Sequence, residues 1–134
     1  MKKLYSGACH CGAVRFEANV DISAGTWKCN CSICAKVRFW SVDGAPGEVH
    51  LLQGADELVD YGFNSRNVHH YFCRHCGVRP YQYVDLPAEG RRYYNVNIAC
   101  LEGVDIDELM AAPVNTPDGL HDRWDEVPDE IRHL

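Results

Sequence analysis

The chain has 134 residues, is 46% hydrophobic and carries a formal net charge of -6 at pH 7. That length suits one domain, 1–134, with a core modest enough for a metal staple to matter. The composition excludes disorder, the acidic balance argues against a nucleic-acid surface, and no stretch approaches the ~18 apolar residues of a membrane span.

Met1 to Cys9 has basic residues but no apolar run of signal-peptide length, so the chain is read as cytoplasmic. Residues 4–20 predict β structure, because Val14, Phe16, Ala18 and Val20 alternate with Arg15, Glu17 and Asn19. Cys9-His10-Cys11-Gly12 forms a turn before that alternation. Gly25 to Lys28 predicts a strand delivering Cys29, and Ser32 to Lys36 one short helical turn aiming Cys34 back. Phe39 to Val42 resumes a strand, and Asp43 to Gly47 reads as a loop from its turn residues. Val49–Gln53 and Leu58–Phe63 are expected strands with a turn at Gly54-Ala55-Asp56. Val68 to Phe72 leads into Cys73-Arg74-His75-Cys76-Gly77, a knuckle. Val78–Tyr83 and Tyr93–Ile98 fit two strands across a loop with Pro87 and Gly90. Asp105 to Met110 predicts a short helix, and Asp118 to Asp125 a docked coil. Many short strands with frequent turns predict a mainly β fold with few helical turns.

Eight cysteines in such a chain need a reason. A disulfide framework belongs to secreted domains, while Cys-x-Cys and Cys-x-x-Cys place two sulfurs on one ion. Zinc is therefore favoured over disulfides, scattered buried thiols or an iron–sulfur centre. Two sulfurs on one zinc lie roughly 3.8 Å apart, closer than alternate residues of an extended strand. The backbone must curl, and Gly12 can take the left-handed conformation such a curl needs.

The two distant pairs, Cys9 with Cys11 and Cys73 with Cys76, can close one tetrahedral site. Cys29, Cys31 and Cys34 can form a second that lacks a fourth protein ligand. Structural zinc is closed, whereas catalytic zinc keeps an open position. His10 and His75 sit inside the pairs and read as turn residues. A thiol taken up at the open site would be deprotonated to the nucleophilic thiolate. Between Asp21 and Asp43 there is no acidic residue, while Lys28, Lys36 and Arg38 flank the triad. Lys36 and Arg38 are thus candidates for holding an anionic ligand, the alternative being solvated charges. Trp27, Phe39 and Trp40 read as core more than as a substrate cage. Cys100 reads as a buried strand residue, with a fourth ligand or a nucleophile as alternatives.

Gly7-Ala8-Cys9-His10-Cys11-Gly12, Cys29-Asn30-Cys31-Ser32-Ile33-Cys34 and Phe72-Cys73-Arg74-His75-Cys76-Gly77-Val78 together resemble the glutathione-dependent formaldehyde-activating enzyme family. Val96 to Asp105 is similar to members of that group as well. The resemblance implies a β-tent fold of short antiparallel strands and a closed zinc at Cys9, Cys11, Cys73 and Cys76. It implies a second zinc at Cys29, Cys31 and Cys34, associated with glutathione and formaldehyde. The expected reaction joins them into S-hydroxymethylglutathione or runs in reverse as a carbon–sulfur lyase. Two other functions compete: a zinc-stabilised interaction module without catalysis, and a thiol reductase using Cys100.

Overall fold

The computed structural model describes residues 1–134. Its ten strands form two sheets. The smaller joins β1 (Lys3–Ala8), β2 (Arg15–Val20) and β5 (Val49–Gln53) in the order β1-β2-β5, all antiparallel. The larger has seven strands: β3 (Thr26–Lys28), β4 (Trp40–Gly44), β6 (Leu58–Tyr61), β7 (Val68–Cys73), β8 (Tyr81–Leu86), β9 (Arg91–Asn97) and β10 (Val114–Asn115). Their order is β10-β3-β4-β9-β8-β7-β6, and only the β10–β3 pair is parallel. Two six-residue helices complete the chain, α1 (Ser32–Val37) and α2 (Ile106–Ala111). The mainly β architecture expected from the sequence is the one observed. No helix is long and apolar enough to cross a membrane.

The core lies between the sheets and follows from strand alternation. Phe16, Ala18 and Val20 of β2 are buried, and they belong to one cluster with Val42, Tyr81 and Val96 of the larger sheet. The rings of Phe16 and Tyr81 meet edge to face at 5.4 Å, a geometry that aligns ring edge with ring face charge. Because strand side chains alternate, the neighbours of Val42 and Val96 must point to the opposite face. The register pairs Asp43 with Asn95, Asn95 with Gln82, and Gln82 with His70. A polar row therefore crosses β4, β9, β8 and β7 behind the core, and it floors the groove described below.

Some boundaries move for physical reasons. Asp43 and Gly44 continue β4 instead of opening a loop. At Gly44 an added Cβ would lie 2.7 Å from Val49 Cγ2, so glycine serves close approach of the two sheets. β8 starts at Tyr81 rather than Val78, just after Pro80, which has no N–H for a ladder. β6 ends at Tyr61, and residues 55–57 form a single 3₁₀ turn. Gly12 has φ +80 and Gly77 φ +74, the left-handed backbone needed at both knuckles. The segment from Asp118 folds onto Cys29 and Asn30, the link between β3 and α1, with one 3₁₀ turn at Gly119–His121.

Candidate functional site

The hairpin turn between β1 and β2 and the turn after β7 use the same closure. Cys9 N donates to Val14 O at 3.1 Å, and Cys73 N donates to Val78 O at 3.0 Å. Both loops thereby present two sulfurs inward. The Cys9–Cys11 and Cys11–Cys73 sulfur separations are each 3.7 Å, close to the roughly 3.8 Å expected of two thiolates on a tetrahedral zinc. All four sulfurs, with that of Cys76, lie within 4.8 Å of one another and could hold a metal ion. The Val14 amide donates to Cys9 Sγ at 3.3 Å. A backbone N–H of Cys11 is the first cause bringing the Cys76 thiol down to about 6. The first pair hangs from the small sheet and the second from the large one, so one ion here would tie the sheets together. His75 turns instead to Glu57, its Nε2 2.5 Å from Oε2, and His10 is exposed.

The triad is built differently. β3 ends at Lys28, Cys29 follows, and α1 begins one residue after Cys31. The Phe39 amide donates to Cys34 O at 3.2 Å, turning the chain straight into β4. The sulfurs of Cys29, Cys31 and Cys34 lie within 4.8 Å of one another, with no fourth His, Cys, Asp or Glu in the group. The Cys31 amide donates to Cys29 Sγ at 3.3 Å. Among the free thiols, hydrogen bonding from Cys29 and then Cys34 holds Cys31 far below the ordinary thiol range. The donor set fits zinc: soft sulfur ligands, correctly spaced, in a site open on one side.

Several residues that the spacing gave no hint of complete this site. Asn30, buried between two cysteines, donates from Nδ2 to Asp118 Oδ1 at 2.7 Å and accepts from the Leu120 amide at 3.0 Å. This clamp brings the C-terminal segment against the triad. At Gly119 an added Cβ would lie 2.7 Å from both Cys29 Sγ and Trp124 Cη2. Arg79 reaches the triad from behind. Its Nη2 donates to His70 Nδ1 at 2.8 Å and Gln82 Oε1 at 3.2 Å, and its guanidinium lies 5.0 Å from the Phe39 ring centroid. Its Nε and Nη1 are buried with no protein acceptor. Burial lowers its pKa, and the Cys34 and Cys31 thiolates act in the opposite sense. A cation inserted behind three sulfurs offsets part of their negative charge.

The triad opens onto a groove of about 870 Å³. Ser41 and the polar row form its floor, and Phe63 and Trp124 line it with them. Trp27 and the buried Phe39 line it as well, while Trp40 packs against the core. Of the two expected anion-binding residues, Lys36 is exposed on α1. Arg38 lines a separate hollow of about 150 Å³ beside Cys29 and Cys34, together with Lys28, Trp40 and Leu134. Cys100 lies outside both thiol groups. It is buried against Arg79 O, donating at 3.6 Å, and burial pushes its thiol up to about 11.

Two sheets carrying one cluster of four thiols and one of three define a class of cysteine-rich, mainly β proteins. Residues 4–115 match the family model described as glutathione-dependent formaldehyde-activating enzyme, and the chain belongs to that family. A Halomonas elongata protein named "Putative glutathione-dependent formaldehyde-activating enzyme" is 35% identical over 66 residues, 49% of this chain. The match spans 40% of that relative's own length. The crystal structure of a Rhodobacter sphaeroides protein is similar with a TM-score of 0.70 and 32% identity, covering 82% of this chain and 99% of that one.

Proposed function

We propose that the chain is a single zinc-stapled domain, 1–134, catalysing carbon–sulfur bond formation or cleavage between glutathione and formaldehyde. The observation that carries this reading is the three-sulfur cluster opening onto a groove without a fourth protein ligand. In it, Cys9, Cys11, Cys73 and Cys76 hold a closed structural zinc, and Cys29, Cys31 and Cys34 hold a second. When bound at the triad, zinc supplies a positive charge that favours the thiolate form of an incoming thiol. The residues of the chain do the rest. Arg79 offsets charge behind the cysteines, and Asn30 holds the C-terminal segment so that Trp124 walls the groove. The substrate sulfur bonds the aldehyde carbon while its proton ends on the aldehyde oxygen, giving S-hydroxymethylglutathione. The reverse step returns both partners. Lys36 and Arg38, with Lys28, add positive potential on the outer side of the triad.

The test uses cobalt in place of zinc. Glutathione should change the cobalt absorption of the parent protein, and Cys34→Ala should abolish both that response and thiol–aldehyde turnover. Its melting temperature should stay near that of the parent. A Cys34→Ala protein that unfolds, with no thiol response in the parent, would make both zincs structural and favour an interaction module.

A further inference from the structure

The polar row extends away from the triad to a second set of charges. Asn95 Nδ2 donates to Asp43 Oδ1 at 2.7 Å, Gln82 Nε2 donates to Asn95 Oδ1 at 2.9 Å, and Gln82 Oε1 accepts from Arg79. Each carboxamide has two N–H groups and two lone pairs. Asn95 therefore keeps a donor and an acceptor beyond those the row uses, and Gln82, whose Oε1 lies against both Arg79 Nη2 and His70 Nδ1, keeps a donor, in a groove floor that a ligand would cover. Beyond Asn95 stand Asp43, Glu89 and Arg91, all lining the groove. Arg91 is 3.4 Å from Glu89 and lies 5.2 Å over the Tyr93 ring. Protein crowding the Asp43 carboxyl raises its pKa, while the Asn95 and Trp27 hydrogen bonds and the Arg91 charge oppose that shift.

The balance of charge at this end is informative. Asp43 and Glu89 line this end of the groove against the single arginine Arg91. A ligand carrying only negative charge would meet net repulsion here. One carrying an ammonium beside a carboxylate would meet an opposite charge for each. Length agrees as well. Trp40 pairs with Lys28 next to the triad, and Asp43 lies three residues further along β4, roughly 10 Å at about 3.3 Å per residue. A γ-glutamyl-cysteinyl unit reaches about 10 Å from its sulfur to its α-amino group when extended, the span of roughly three backbone residues.

We propose that the groove takes an elongated peptide-like thiol with its sulfur at the triad and its free α-amino-acid end between Asp43 and Arg91. Asp43 accepts from the ammonium, Arg91 donates to the carboxylate, and the spare groups of Asn95 and Gln82 meet the intervening amide. This assignment rests on the triad being a thiol site, and it names the end of the thiol that is recognised. The far carboxylate of a tripeptide thiol then contributes little.

Zinc-loaded protein is titrated with four thiols, followed by the fluorescence of Trp27 and Trp124 in the groove. γ-Glutamylcysteine should bind within about twofold of glutathione. N-acetylglutathione, without the ammonium, and 3-mercaptopropionate, without the whole end, should each bind at least about tenfold more weakly, the scale of one lost charge-assisted hydrogen bond. In Asp43→Asn and in Arg91→Gln the preference for glutathione over 3-mercaptopropionate should collapse, and Arg91→Lys should restore part of it. Equal binding of all four thiols, together with a cobalt response to each, overturns the amino-acid subsite and leaves the triad reading standing. Absence of any cobalt response to the four thiols overturns both.

Discussion

Gly119 shows how one missing methyl group shapes the site. The C-terminal segment touches Cys29 Sγ and folds Trp124 back only because no Cβ intervenes. Gly119→Ala should therefore lose about 1–3 kcal/mol through overpacking, measured by urea unfolding. It should also shift the cobalt spectrum at the triad, since Cys29 has to move or the segment has to lift. A variant as stable as the parent with an unchanged spectrum would mean that the contact is slack. Asn30 works with it: hydrogen bonding from Asn30 first, then His121, keeps the Asp118 carboxyl below its usual range. That clamp is in place above the ordinary carboxylate pKa and is released as pH falls through the lowered one. Neither residue carries a signal in the sequence. An asparagine between two cysteines and a glycine in an aperiodic tail acquire meaning only through their partners about 90 residues apart in chain order.

Among the elements, α2 was legible because its start is chemical. Asp105 Oδ1 accepts from the Asp107 and Glu108 amides at 2.9 and 3.1 Å, satisfying donors that a helix start leaves unpaired. The helix buries Leu109, and Ala112 follows into the core, while Glu108 meets Lys3 of β1 at 2.5 Å. Asp105→Ala should cost about 1 kcal/mol, lowering the melting temperature by roughly 4 °C, and Asp105→Ser should recover most of it. A loss below about 1 °C would place the helix's stability in its packing alone. Strand existence was also readable, since β2 alternates clearly. Strand ends were less so: Gly44 reads locally as a turn residue, yet the approach of β5 makes it part of β4.

At the scale of the molecule, the four-sulfur cluster joins the hairpin turn of one sheet to the end of a strand in the other. Each turn alone is a short loop over a small apolar cluster of Cys9, Val14 and Cys73. If zinc ties them, its binding energy is also folding energy. Cys76→Ser should lower the melting temperature by at least about 10 °C, the equivalent of a few kcal/mol. Mild chelation should remove one zinc per chain, from the triad, while far-ultraviolet dichroism persists. Simultaneous loss of both metals and of structure would assign the staple to both clusters.

The sequence by itself determined the mainly β class, the left-handed glycines at the knuckles, and which cysteines lie close enough to share an ion. The first two, and the grouping of cysteines within each motif, follow from local periods and spacings, whereas the joining of the Cys9–Cys11 and Cys73–Cys76 pairs follows from the number of sulfurs that a closed zinc site needs. Only the tertiary structure decided what surrounds the triad. The row from Asp43 through Asn95 and Gln82 to His70 exists because β4, about 50 residues away from β9 in sequence, joins the consecutive strands β7, β8 and β9 in register. Arg79 sits behind the sulfurs because β7 and β8 bring it there. Lys36, only two residues after Cys34, points to solvent because successive residues of a helix diverge by a large angle. Proximity along the chain is set by covalent bonds, whereas the walls of a groove are set by register and packing.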